Sequence, residues 1–368
     1  MTTKTTSKPT AHQKPTLVPV FDGHNDVLLR LHKRGKGDPV AAFFDGEEKA
    51  QLDLPRAQAG GFAGGMFAIF VPSGDLGLNA LSMDTGADTY DVPLPPMVET
   101  TSAQHAVLAM AALLFRIERA SAGRVRVCRS VADIRAAIAA GAIAPVLHIE
   151  GAEAIDREFQ MLDVLHAAGL RSLGPVWSRP TIFAHGVPFR FPSSPDIGPG
   201  LTDLGRELVR RCNALKIMLD LSHLNEQGFW DIAKLSDAPL VATHSNAHAI
   251  CPHSRNLTDK QLAAIKVSGG MVGVNFAVSF LRADGRRNPD TPLSVVVDHI
   301  EHLITHLGED HVGIGSDFDG AAIPVDIDSA AGLPNLINAM RARGYGEALI
   351  TKICSGNWLR VLERTWGQ

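Results

Sequence analysis

Short apolar runs alternate with longer segments of helical period from Leu17 to the end of the chain. Eight runs, at 17–21, 65–71, 145–149, 171–176, 217–221, 240–243, 271–276 and 312–315, are apolar at nearly every position. A parallel sheet covered on both faces requires such runs, whereas a half-exposed strand would alternate apolar and polar residues. Between them lie helical patterns. Ser130-Val-Ala-Asp133 reads as a capping box ahead of Val131, Ile134 and Ile138, with Gly141 as the stop. Thr258-Asp-Lys-Gln261 is a second box, followed by Leu262 and Ile265 and ended by Gly269-Gly270. Further helices are expected near 155–168, 201–215, 225–236, 293–307, 331–343 and 346–363.

Eight strands alternating with helices predict an α/β fold of the (β/α)8 barrel type, which needs about 250 residues and tolerates insertions. A doubly wound open sheet is the competitor, but no GxGxxG follows the first run. Connections from helix to strand are short. Long segments rich in Pro, Gly or Asp follow strands at 72–97, 178–200 and 279–292. In a barrel these gather on the C-terminal face, where substrates bind. We expect a single domain over 17–368, preceded by a disordered polar tail at 1–16.

The 368 residues are 45% hydrophobic and 20% charged, an ordinary globular balance. The 35 basic and 39 acidic side chains leave −4, so no basic excess exists to neutralise phosphates, and nucleic acid is not an expected partner. Cys128, Cys212, Cys251 and Cys354 form no CxxC pair and read as reduced thiols. The start lacks the apolar stretch of a secretory signal, and the longest apolar run, 136–149, is broken by Gly141 and Pro145. With no apolar C-terminal tail for a lipid anchor, the expectation is a cytoplasmic enzyme without a membrane anchor. Fifteen histidines beside 2 tyrosines direct attention to metal chemistry.

Ionisable residues fall at the C-terminal ends of the strands. The first leads into Asp22-Gly-His24-Asn-Asp26, the third ends in His148-Ile-Glu150, and the fifth in Asp220-Leu-Ser-His223. The sixth ends in Thr243-His244 and the eighth exits through Ser316-Asp317-Phe-Asp319. Barrel closure would bring all five ends to one rim. His24 and Asp26, two apart on extended chain, project to one side and suit one divalent cation. His223 and His244 suit a second, and Glu150 can lend an oxygen to each. Nitrogen and oxygen donors without thiolate favour Zn²⁺, two per chain, with Mn²⁺ or Co²⁺ as substitutes. A water between two such ions loses a proton near pH ~7 and becomes a nucleophile. His148 reads as a core residue or a support behind the ligands rather than a ligand, His248 and His253 as exposed loop residues, and His299, His302 and His306 as a solvated helix face.

These stretches resemble the membrane (renal-type) dipeptidases, zinc peptidases of family M19 among the amidohydrolase-like barrels. The resemblance rests on Phe21-Asp-Gly-His-Asn-Asp26, Ala59-Gly-Gly-Phe-Ala-Gly-Gly65, His148-Ile-Glu-Gly151, Asp220-Leu-Ser-His223, Thr243-His-Ser245, Ser254-Arg-Asn256, Val274-Asn-Phe276, Gly313-Ile-Gly-Ser-Asp-Phe-Asp-Gly320 and Gly356-Asn-Trp-Leu-Arg360. It implies hydrolysis of dipeptides, often with a D-residue at the C-terminal position, by attack of a metal-bridging hydroxide. It places His24 and Asp26 on the first zinc, Glu150 between the two, and His223 and His244 on the second. Arg255 falls at the arginine that holds the substrate carboxylate, Asp317 at the proton shuttle, and Asn275 on the substrate side. A homodimer is also implied.

One position departs from the mammalian pattern. Trp177 stands where a histidine just past strand four contacts the substrate, and His185, farther along, is a weak substitute. The nearest alternative is another amidohydrolase acting on N-acyl amino acids, lactams or lactones. Many of those use HxH after strand one and a carboxylated lysine, whereas Lys216 precedes its strand here. A catalytically inactive metal-binding scaffold is the alternative of a different class.

Overall fold

The computed structural model describes residues 17–72 and 88–367; the polar tail at 1–16 and most of the segment from 72 to 97 that carries a long loop lie partly or wholly outside them. Eight parallel strands form the barrel: β1 (Val20–Asn25), β2 (Phe62–Phe70), β3 (Ala144–Glu150), β4 (Leu170–Gly174), β5 (Met218–Leu219), β6 (Val241–Ala242), β7 (Met271–Val274) and β8 (Val312–Ile314). Their spatial order is β5-β4-β3-β2-β1-β8-β7-β6. The remaining seam closes where Leu221 N donates to Val241 O at 2.8 Å and Asp220 bridges to Val241. This is the (β/α)8 barrel that the eight runs predict.

The first strand differs from the expected 17–21. It begins at Val20 and continues through His24 to Asn25. Asp22 and Asn25 do not end it, because each finds a partner on a neighbouring segment of the barrel. Asp22 accepts from Ser316 N (2.7 Å) and Ser316 Oγ (2.8 Å), and Asn25 Nδ2 donates to Met66 O (3.2 Å). Elsewhere the capping boxes of Ser130 and Thr258 are present and start helices Val131–Ala139 and Asp259–Ser268. The expected helix at 155–168 is shorter, Gln160–Ala168, and that at 346–363 is split by a π-turn at Lys352–Gly356. Helix Thr100–Ala120 lies outside the expected elements. It buries Val107, Met110, Leu114 and Ile117 along one stripe, and Glu99 caps it by accepting from Thr101 N and Ser102 N.

The barrel interior is divided into an apolar and a polar half. Phe21, Met66, Val146, Met218, Val241 and Met271, from the earlier parts of their strands, pack with Trp358 of helix Asn357–Trp366. The Trp358 indole donates to Ile314 O at 2.9 Å. Glycine is required around it, since a Cβ at Gly23 or Gly313 would stand 2.4 or 2.7 Å from the ring. The Gly356-Asn-Trp motif is thereby explained as a plug that closes the cylinder beneath the polar rim. All four cysteines are buried free thiols. Among the described residues no helix is long and apolar enough to cross a membrane.

Candidate metal centre

The strand ends converge as barrel closure requires. His24 Nε2 lies 3.3 Å from Asp26 Oδ2 and 3.6 Å from Glu150 Oε2. The other oxygen, Glu150 Oε1, lies 3.0 Å from His223 Nε2 and 3.4 Å from His244 Nε2. One carboxylate therefore faces a His–Asp pair with one oxygen and a His–His pair with the other. The His24 and His244 rings stack with centroids 3.8 Å apart. All five side chains are buried.

Backbone and neighbouring hydroxyls set these side chains. His223 and Asp317 both have left-handed φ, +66° and +62°. Non-glycine residues hold that conformation at a cost of about 1–3 kcal/mol, tolerated where the surroundings impose it. The tautomer of His244 follows from the hydrogen bonds of its neighbour. Thr243 Oγ1 donates its single proton to Asp220 Oδ2 (2.6 Å), so toward His244 Nδ1 (2.8 Å) it can only accept. Nδ1 of His244 therefore carries the proton, and Nε2 presents a bare lone pair to the centre. Asp220 also accepts from Ser222 N and Thr243 N, both at 2.9 Å. On His223, Nδ1 meets Ser178 Oγ at 2.8 Å and Nε2 again faces inward.

The donor set fits a metal. Both ring nitrogens of His24 are buried without a hydrogen bond, and the His223 and His244 Nε2 atoms face each other at 3.2 Å. The groups His24/Asp26/Glu150 and Glu150/His223/His244 each hold their ligand atoms within 4.8 Å of one another. Electrostatics point the same way. Burial disfavours the His24 imidazolium, yet Glu150, Asp26 and Asp317 outweigh it and raise the group to about 10. A divalent cation neutralises the same carboxylates. Burial, reinforced by neighbouring cations, pushes His223 and His244 well below the ordinary histidine value, which keeps them neutral as ligands must be. Burial also raises Glu150 and Asp317.

The other expected residues fall around this cluster. Asp317 Oδ2 accepts from Asn275 Nδ2 at 3.0 Å, and Gly320 leaves room for it: a Cβ there would stand 2.5 Å from Asp317 Oδ1 and 2.2 Å from Asp26 Oδ2. The second aspartate of the motif, Asp319, faces away, binding Arg30 Nε (3.0 Å) and Gln51 N (2.8 Å). Arg255 is buried, with Nη2 on His244 O at 3.2 Å and its guanidinium 5.3 Å above the Phe280 ring. Burial lowers it to about 10, against the pull of Asp317 and Glu150. Trp177 packs against His223 (5.7 Å), Phe70 (4.9 Å) and Phe189 (5.5 Å). His185 is half-buried, and its imidazole makes no hydrogen bond with the centre.

Three histidine readings are corrected; His248 is half-buried rather than exposed, with Nε2 on Ser193 O at 2.9 Å. His253 is buried rather than exposed, enclosed by Tyr90, Phe191 and Phe280, with Nδ1 accepting from Arg255 N at 3.0 Å. His299 is also buried, accepting from Ala247 N (3.1 Å) and donating to Leu281 O (2.9 Å). Both satisfy backbone groups of the loops behind the rim, a task that polar spacing along the chain does not reveal. His148 is a core residue as expected, with Nδ1 on Ser172 Oγ at 2.9 Å. Sequence reasoning missed Ser178, Thr243 and Ser172 as supports for histidines. Thr243 alone carried a signal, standing immediately before His244.

The chain is similar to several known proteins. The family model for membrane dipeptidase, peptidase family M19, matches residues 11–366. An uncharacterised Klebsiella pneumoniae protein in the pqqA 5′ region is 53% identical over 257 residues, 70% of this chain and 95% of that one. A crystal structure described as dipeptidase AC, a metallo peptidase, is 56% identical with a TM-score of 0.93, covering 96% of this chain and all of that one. A Rhodobacter sphaeroides metallo peptidase, liganded with a phosphinate mimic of the dipeptide L-Ala-D-Ala, is 57% identical with a TM-score of 0.93, covering 95% of this chain and 100% of its own. With the barrel, the buried histidine–carboxylate cluster and a match over nearly its whole length, the chain belongs to peptidase family M19, the metal-dependent membrane dipeptidase family.

Proposed function

We propose that this protein hydrolyses dipeptides that carry a free C-terminal carboxylate, at a centre of two zinc ions. The observation that carries the proposal is Glu150, whose two oxygens face two separate ligand groups. In this assignment His24 and Asp26 would hold one ion, His223 and His244 the other, and Glu150 would lend an oxygen to each, with Mn²⁺ or Co²⁺ as substitutes. Ions held there would supply polarisation of the scissile carbonyl and acidification of a water.

The chain's own residues do the rest. Burial raises Asp317 above the ordinary carboxylate value, and its place beside the ligand cluster suits a group that takes a proton and returns it to the leaving amine. Asn275 holds it in place. Both amide hydrogens of Asn275 are taken, by Asp317 Oδ2 (3.0 Å) and His244 O (3.4 Å), and its oxygen accepts from Ala277 N (2.6 Å), so we assign it to positioning rather than to substrate contact. Arg255 presents an Nε without a partner in a buried setting, ready for a carboxylate in forked geometry. Trp177 forms an apolar wall beside His223, in place of a polar substrate contact. The dipeptide mimic held by the Rhodobacter relative supports small L,D-substrates.

The test is a kcat/KM panel of L,L- and L,D-dipeptides, their C-terminal amides and N-acyl amino acids, with bound metal counted on the same sample. Free-carboxylate dipeptides should be preferred over their amides. A metal-loaded protein that cleaves no dipeptide would overturn the proposal and favour an inactive scaffold; preference for N-acyl amino acids would favour the wider amidohydrolase reading.

A further inference from the structure

A second set of metal-ligand side chains converges on the outside of the barrel. His302 and His306 lie about one turn apart on helix Leu293–Leu307, a spacing that sets both on one face. Their rings stack, with centroids 4.3 Å apart and planes 26° from parallel. Asp259 opens the neighbouring helix Asp259–Ser268 and offers one oxygen to each ring: Oδ1 is 2.8 Å from His302 Nε2, and Oδ2 is 3.8 Å from His306 Nε2. Ligand atoms of all three residues fall within 4.8 Å of one another. The side chains are partly open to solvent, 20% for His302, 33% for His306 and 47% for Asp259, so an ion can enter without any opening of the fold.

A hydrogen bond from His302 to Asp259 accounts for the shorter distance. It leaves His306 unexplained, because 3.8 Å is beyond hydrogen-bond reach. The other acids of this helix do not compete for the two rings. Asp298 and Glu301 pair instead with Arg343, at 2.8 and 2.5 Å. What remains is two stacked imidazoles, with both Nε2 atoms near one carboxylate from another element. Two nitrogens and one anionic oxygen suit Zn²⁺ and its neighbours in the first transition row, with further positions open to water. Paired histidines four residues apart on a helix are an established way of presenting two nitrogens to one ion.

We propose that Asp259, His302 and His306 bind one divalent transition-metal ion, separate from the barrel centre, and that the ion clips helix Leu293–Leu307 to helix Asp259–Ser268. The first of these helices also carries His299, which holds Ala247 N in the loop after His244. The clip therefore braces the outer support of the rim without touching the site.

The test uses metal-loaded protein dialysed free of excess ion, titrated with ZnCl₂ by calorimetry, with bound zinc counted by mass spectrometry. His306→Ala keeps the His302–Asp259 hydrogen bond, and His302→Ala/His306→Ala removes both nitrogens. The wild type should bind one equivalent more than either variant, and zinc should raise the Tm of the wild type alone. Turnover without added zinc should be the same in all three. The readout is a difference of one equivalent, so it does not depend on how the barrel centre is filled. Identical isotherms for wild type and the double variant would overturn the site. Wild-type zinc binding by His306→Ala, lost only in the double variant, would overturn the three-ligand assignment.

Discussion

Thr243→Val tests whether the hydroxyl behind His244 sets the metal affinity of the centre. Valine keeps the shape of threonine and its backbone bond to Asp220 Oδ1, but removes the group that accepts from His244 Nδ1 and donates to Asp220 Oδ2. Two buried atoms then lose their partner, at about 1–3 kcal/mol each in the folded state. The ring also loses what fixes its proton on Nδ1, so a share of the population carries it on Nε2, where it blocks coordination. Groups that orient metal-ligating histidines are typically worth ~10–100-fold in metal affinity, about 1.4–2.7 kcal/mol. The assay is competition dialysis against a graded chelator series with residual metal counted, for wild type, Thr243→Val and Thr243→Ser. Serine retains the hydroxyl and should hold metal as the wild type does. If valine retained metal like the wild type, or if serine lost it like valine, the relay from Asp220 through Thr243 to His244 would not be what poises the ligand.

Three further outcomes are expected. Asp317→Asn should retain metal yet lose about 10²–10⁴ in kcat, because the group that moves the proton is gone while the ligands remain; full activity in a metal-replete sample would remove Asp317 from the mechanism. Arg255→Ala should raise KM far more than it lowers kcat, costing about 2–5 kcal/mol in kcat/KM for a carboxylate substrate and little for the dipeptide amide; equal losses on both substrates would remove the clamp. His299 predicts a pH effect on stability. Burial lowers it from the ordinary 6.5 to about 4, so below pH 6.5 the unfolded chain takes up a proton that the folded chain refuses. Its contribution is fully present above pH 6.5 and is lost as pH falls toward 4, by roughly 2 kcal/mol between pH 7 and 5. Denaturant unfolding at both pH values should show that much less slope for His299→Gln; an unchanged slope contradicts the assignment.

The barrel was legible because its strands are covered on both faces and so read as unbroken apolar runs. The runs at 217–221 and 240–243 were found, although only Met218–Leu219 and Val241–Ala242 keep regular pairing, since the seam between them closes through Asp220 and Leu221. The first strand begins three residues later than its apolar run. Asp22 and Asn25 look like a strand end in one dimension, but their partners, Ser316 and Met66, arrive from far along the chain. The same reason hid Ser178 behind His223 and the burial of His253 and His299. Each depends on a contact between segments that a linear pattern does not order. The ligand types were legible because barrel topology sends every strand end to one rim. Helix Thr100–Ala120 follows a connection outside the regular β/α alternation, and its apolar stripe went unread amid the loop segment before it.

The central claim is that residues distant in sequence cage two ions around Glu150. Anomalous diffraction at the zinc edge, on crystals of the zinc-loaded protein, tests it most directly. The account predicts two peaks about 3.5–4 Å apart, one beside His24 and Asp26 and one beside His223 and His244, with a Glu150 oxygen on each. A single peak at the rim, or two peaks with Glu150 bound to neither, would contradict it.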